Sequence, residues 1–75
     1  MDMTDQEFLL YCETHCKTER AGFVPQQIAR LFRLAGYRAE AALWNKRPLS
    51  IITCREDAIL PLVRGARDLL EQEDK

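Results

Sequence analysis

The sequence predicts a mostly helical fold, a bundle of three to four short helices, from three observations. A capping box opens the chain, and a proline-initiated apolar stripe in its middle runs to a glycine stop. Only one stretch, Ser50-Ile51-Ile52-Thr53, is rich in β-formers. At 75 residues there is room for a single domain, residues 1–75, with frayed ends expected over about 1–3 and 72–75. A core of this size rarely supplies more than ~3–5 kcal/mol unaided.

The first helix is expected over residues 5–17. Thr4-Asp5-Gln6-Glu7 has the pattern in which Thr4 caps the third helical amide and Glu7 reaches back to the Thr4 amide. Phe8, Leu9, Cys12 and Cys16 follow at helical spacing. Residues 18–22 read as a polar connection. Pro25 then stands at a first helical position, where its missing N–H costs nothing. Ile28, Leu31, Phe32 and Ala35 form the apolar stripe, with Arg30 and Arg33 on the other side, and Gly36 is the stop.

Residues 37–44 contain Ala39, Ala41, Ala42 and Leu43, which favour a short third helix. The competing reading is a small β-hairpin near residues 41–53, with 41–44 paired to 49–53 across Asn45-Lys46-Arg47-Pro48. Thr53-Cys54-Arg55-Glu56 offers a second capping box. Pro61 either starts the last helix or kinks one that begins earlier. Leu62, Val63, Ala66, Leu69 and Leu70 share a face, and Gly65 leaves room for a close neighbour. The expected core is Phe8, Leu9, Ile28, Leu31, Phe32, Leu43, Leu62, Val63, Leu69 and Leu70.

Composition narrows the functional classes. Apolar residues at 47% and charged residues at 31% mark a globular chain. No apolar stretch is long enough to span a bilayer, so no membrane partner is expected. The start, Met1-Asp2-Met3-Thr4-Asp5, lacks the basic region of a signal peptide, and a cytoplasmic location is expected. Three cysteines, an odd number, fit free thiols in a reducing compartment.

The formal net charge of −1 conceals a polarised distribution. Residues 1–16 carry −4, from Asp2, Asp5, Glu7 and Glu13. Residues 17–47 carry +5, with Lys17, Arg20, Arg30, Arg33, Arg38, Lys46 and Arg47 against Glu19 and Glu40. Residues 48–75 carry −2. A basic middle between acidic ends points to an anionic partner for the middle.

The second and third helices resemble a helix-turn-helix pair. Gln27-Ile28-Ala29-Arg30-Leu31-Phe32 looks like its first helix, with Ala29 at the crossing point. The third helix, followed by Asn45-Lys46-Arg47-Pro48, is similar to the basic exit of some small phage-type repressors. The resemblance covers roughly a third of the chain and implies double-stranded DNA as partner, with Arg30, Arg33, Arg38, Lys46 and Arg47 on phosphates. The sequence departs from it at Gly36, which stands seven residues after Ala29 rather than four, and in a face poor in base readers. Net acidity also counts against DNA, because non-specific affinity needs a positive excess.

Cys12, His15 and Cys16 fall on one helical face, and Cys54 would complete a four-ligand zinc set, but Cys54 lacks a neighbouring ligand. No metal or other cofactor is expected. Adjacent helical residues diverge by about 100°, so His15 is badly placed to activate Cys16, and there is no phosphate loop. No enzyme activity is expected. The favoured expectation is a small regulator or inhibitor, of the size phages and mobile elements encode. It would bind an acidic protein surface through Arg30, Arg33, Tyr37, Arg38, Trp44, Lys46 and Arg47. Exposed apolar residues on the last helix would allow a homodimer.

Overall fold

Local capping sets the helix boundaries. A computed structural model describes residues 2–73 and contains four helices and a two-stranded antiparallel ribbon among them. Helix α1 (Asp5–His15) opens on the full capping box. The Glu7 amide donates to Thr4 Oγ1 at 3.1 Å, and the Thr4 amide donates to Glu7 Oε1 at 3.0 Å. Those bonds hold the Glu7 carboxyl below its ordinary pKa. A turn with Arg20 in the left-handed region (φ +59°) leads into strand β1 (Gly22–Phe23).

Helix α2 (Pro25–Leu34) has half a capping box, because Val24 has no side-chain acceptor. The Gln27 side chain alone reaches back, accepting from the Val24 amide at 2.9 Å. Its end is a Schellman motif. The Gly36 amide donates to the Arg33 carbonyl and the Tyr37 amide to the Phe32 carbonyl, with Gly36 at φ +93°. Phe32 and Tyr37 meet edge to face across the motif, 6.1 Å between centroids. Helix α3 (Arg38–Asn45) then folds back against α2. Strand β2 (Ile52–Thr53) follows, and α4 (Glu56–Glu73) ends the described residues. The fraying expected for Asp74, Lys75 and Met1 lies outside the described residues.

The hairpin expected over 41–53 does not form. Residues 41–45 belong to α3, and β2 pairs with β1, Gly22 opposite Thr53 and Phe23 opposite Ile52. Helix propensity in the alanine-rich stretch prevails, while β1 supplies the missing strand and buries Phe23 as it does so. The second capping box is also absent, because Thr53 lies in the strand; the Arg55 carbonyl receives the first amides of α4, from Ala58 and Ile59. Pro61 sits inside α4 on its exposed side, so the Asp57 carbonyl left without an N–H faces water. No helix among the described residues is long and apolar enough to cross a membrane.

Helix α4 packs against α1 and α2, and α3 packs mainly against α2. The core is Phe8, Leu9, Cys12, Cys16, Ala21, Phe23, Ile28, Leu31, Ile59, Val63 and Ala66. Phe32, Leu62 and Leu70 flank it half-buried, whereas Leu43 and Leu69, expected inside, are exposed. For Leu43 the reason is angular. Ala41 occupies the contact with α2, and two residues further on the side chain points about 200° away.

Gly65 in the middle of α4 faces Ala35, and a Cβ built there would lie 4.0 Å from the Ala35 Cβ, an ordinary contact. Gly65→Ala should therefore raise stability by roughly 0.5–1 kcal/mol, through helix propensity and a less flexible unfolded chain. The urea midpoint checks it, and a lower midpoint would mean that α2 and α4 lie closer than described.

Candidate partner-docking face

Seven residues were expected to form one binding face, and the structure divides them into three groups. Arg30 belongs to the fold. Its guanidinium donates to Asp5 Oδ1 at 3.0 Å and to the Met3 carbonyl at 2.8 Å, and lies 4.5 Å from the centre of the Phe8 ring. It thereby ties the start of α1 to α2. Arg30→Ala should cost about 1–2 kcal/mol, less than an enclosed ion pair would, because both partners keep some solvent contact. In a domain this small that is a fall in melting temperature of roughly 4–15 °C. Arg33→Ala, on the exposed side of the same helix, should change it by less than roughly 0.5 kcal/mol. Equal effects of the two substitutions would remove Arg30 from the framework.

Arg33, Tyr37 and Arg38 surround the α2–α3 turn. Arg33 and Arg38 line a 520 Å³ groove with Asp5, Gly36, Leu69 and Glu73, where opposite charges face each other. Tyr37 is half-exposed, its ring edge-on to Phe32. Arg33 also lines a smaller hollow with Gln26, Ala29, Arg30 and Asn45, which places the end of α3 back beside the first half of α2.

Trp44, Lys46 and Arg47 stand at the other end of α3, about 12 Å from Arg38 by helical rise. Trp44 is half-buried and stacks over Phe32, 6.5 Å between centroids at 14°. The Arg47 guanidinium lies 4.5 Å from the centre of the indole, so the cation covers the outer face of the ring. Lys46 and Arg47 follow the helix C-terminus, where cations complement its dipole. Leu43, Trp44 and Arg47 line a shallow 130 Å³ hollow.

Residues not singled out from the sequence complete this end. Leu43, Leu49 and Ile51 are 65%, 78% and 73% exposed. The available signal was two large aliphatic residues, Leu49 and Ile51, in a stretch with no helical partner spacing. Leu43 shares its hollow with Trp44 and Arg47, and Leu49 and Ile51 are exposed in the loop that follows Lys46 and Arg47. Such a surface desolvates readily against a protein and orients it by charge.

The cysteines and the histidine are used in the fold. The His15 ring stacks on Tyr11 and meets Phe23 edge-on, each at 5.0 Å, and its Nε2 is bonded to the Gly22 carbonyl at 2.8 Å. It fastens β1 to α1. Cys12 and Cys16 are buried, and burial pushes the Cys12 thiol up to about 12. Burial also raises Cys16 and the half-buried Cys54. Among the described residues no three metal-ligating side chains converge. A thiol reagent should modify Cys54 first and Cys12 only on unfolding, as mass spectrometry of the partially labelled chain would read. Early loss of the Cys12 thiol would contradict its place in the core.

Comparison with protein-family models, with curated proteins and with solved structures finds no match to this chain. The class its fold and surface define is a small four-helix domain with a two-stranded clasp and one apolar, basic face.

Proposed function

We propose that this domain is a non-enzymatic regulator or inhibitor that docks on an acidic surface of another protein. The carrying observation is the exposure of three large aliphatic residues, Leu43, Leu49 and Ile51, in the one segment that also carries Trp44, Lys46 and Arg47, with Leu43, Trp44 and Arg47 sharing a hollow. A protein partner desolvates aliphatic side chains with gain, whereas a DNA backbone does not. Of the exposed residues of α3 only Arg38 and Asn45, at its two ends, can donate to a base edge, while Ala39, Glu40, Ala42 and Leu43 between them cannot. The acidic start of α1 and the acidic last turn of α4, with Glu71 and Glu73, add no cation to a phosphate-binding stripe.

The test is capture of partners from lysate of the expressing cells on the immobilised domain, with and without nuclease. Retention of one stoichiometric protein after digestion is expected. Loss of every partner on digestion, with nucleic acid in the undigested eluate, would turn the reading to double-stranded DNA at the α2–α3 pair.

A further inference from the structure

We propose that the outer edge of β2 pairs with an extended, acidic segment of the partner, adding a third strand to the ribbon. This inference rests on the docking face proposed above, and it names how the partner is held beside that face.

The register fixes which backbone groups are free. The Cys54 amide donates to the Ala21 carbonyl at 3.0 Å, so Ala21 and Cys54 occupy a hydrogen-bonded position of the antiparallel ladder. Such positions alternate, which makes Phe23–Ile52 the next bonded pair and Gly22–Thr53 an unbonded one. The N–H and C=O of Thr53, and those of Ile51 two residues before it, therefore turn away from β1. On the opposite edge the Gly22 carbonyl is already taken by His15 Nε2 at 2.8 Å. Among the described residues no backbone hydrogen bond reaches the outward groups of Ile51 or Thr53, and both residues are exposed. One side of the ribbon is closed and the other is open.

Two features suit the open side to a strand from outside. A two-stranded ribbon is marginal in water, and a third strand would complete its ladder. Ile51 also lies against the ribbon, its Cγ2 over Gly22 and 2.6 Å from where a Cβ would stand. Only glycine at position 22 lets that apolar side chain lie flat across the ribbon. An incoming strand thus meets a preformed edge and an exposed apolar residue lying across it.

Charge selects the occupant. Between Trp44 and Arg55 the chain carries Lys46, Arg47 and Arg55 and no acidic residue. The one ion pair there among the described residues, Arg55 to Asp57 at 3.3 Å, is 85% and 70% exposed and so offers little competition to an incoming carboxylate. A second copy would bring the same three basic residues that flank β2, and like charge beside an edge strand disfavours self-pairing. An acidic, β-branched segment meets neither obstacle.

The experiment pans a random dodecapeptide library against the folded domain and remakes the enriched peptide with alternate backbone amides N-methylated. Amide spectra of the labelled domain read the site. Enriched sequences should be acidic, and Ile51 and Thr53 amides should shift and exchange at least ~10-fold more slowly with peptide bound. N-methylation should weaken binding by roughly 10-fold or more, since it removes ladder bonds and keeps the side chains. Peptides that shift Leu43 and Arg47, leave Ile51 and Thr53 unmoved and tolerate N-methylation would overturn edge pairing and leave the docking face standing. No enrichment, or a footprint elsewhere, would overturn both. Shifts of Ile51 and Thr53 that grow with protein concentration alone, with a doubled sedimentation mass, would overturn it in favour of a second copy.

Discussion

Phe23→Ala is expected to leave the chain unfolded at 25 °C. Phe23 is fully buried and is the point at which three elements meet. It sits on the short strand β1, contacts Tyr11 and His15 of α1 through its ring, and stands opposite Ile52 of β2. Truncating a buried phenylalanine costs about 3–5 kcal/mol in lost transfer energy and residual cavity. That equals the whole stability, roughly 3–5 kcal/mol, that a core of this size supplies. Far-UV circular dichroism should therefore lack the helical minima, and Phe23→Leu, which keeps most of the volume, should recover them. A cooperative thermal transition in Phe23→Ala within a few degrees of the parent would show that the ribbon is an accessory to the helices.

Leu43→Glu is the second large effect, and it falls on binding alone. Leu43 is exposed, so the substitution should change stability by less than roughly 0.5 kcal/mol. Against the captured partner it should cost at least ~2 kcal/mol, about 30-fold in Kd, because a charge replaces an apolar contact and faces an acidic surface. Arg47→Glu should act differently. Reversing a rim charge slows association and inverts its salt dependence more than it changes dissociation. Trp44 is the poorer probe, since its stacking on Phe32 anchors α3 and its loss would disturb fold and surface together. Isothermal titration read beside melting curves separates the two effects. Unchanged affinity in folded Leu43→Glu would remove the end of α3 from the interface.

Much of the helical framework was legible because its signals are local. Thr4 and Glu7, Pro25 and Gly36 each act within one turn of chain, and the structure uses them as their spacing implies. The β-rich stretch at 50–53 was visible too, but its partner was not. Gly22-Phe23 is too short to show alternation, and the pairing is decided by the burial of Phe23, thirty residues away in sequence. Side-chain size misled the reading of the core. Ala21, Ala29, Ala41 and Ala66 take close helix contacts, while Leu43 and Leu69 project outward. Arg30 shows the same limit at the candidate site. On a helical wheel it is a solvated cation, and only the fold brings Asp5 and Phe8 to it. Exposure of Leu49 and Ile51 likewise follows from the loop that carries them, which no periodicity describes.

The proposed docking face comprises the end of α3 and the loop to β2. Site-specific photocrosslinking locates it, with benzoylphenylalanine placed in turn at Leu43, Leu49 and Leu10. Leu10 is the control, 56% exposed on α1. Nuclease-resistant protein adducts from positions 43 and 49, and none from position 10, are the expected result. Adducts of equal yield from all three positions, or adducts to nucleic acid from 43 and 49, would contradict it.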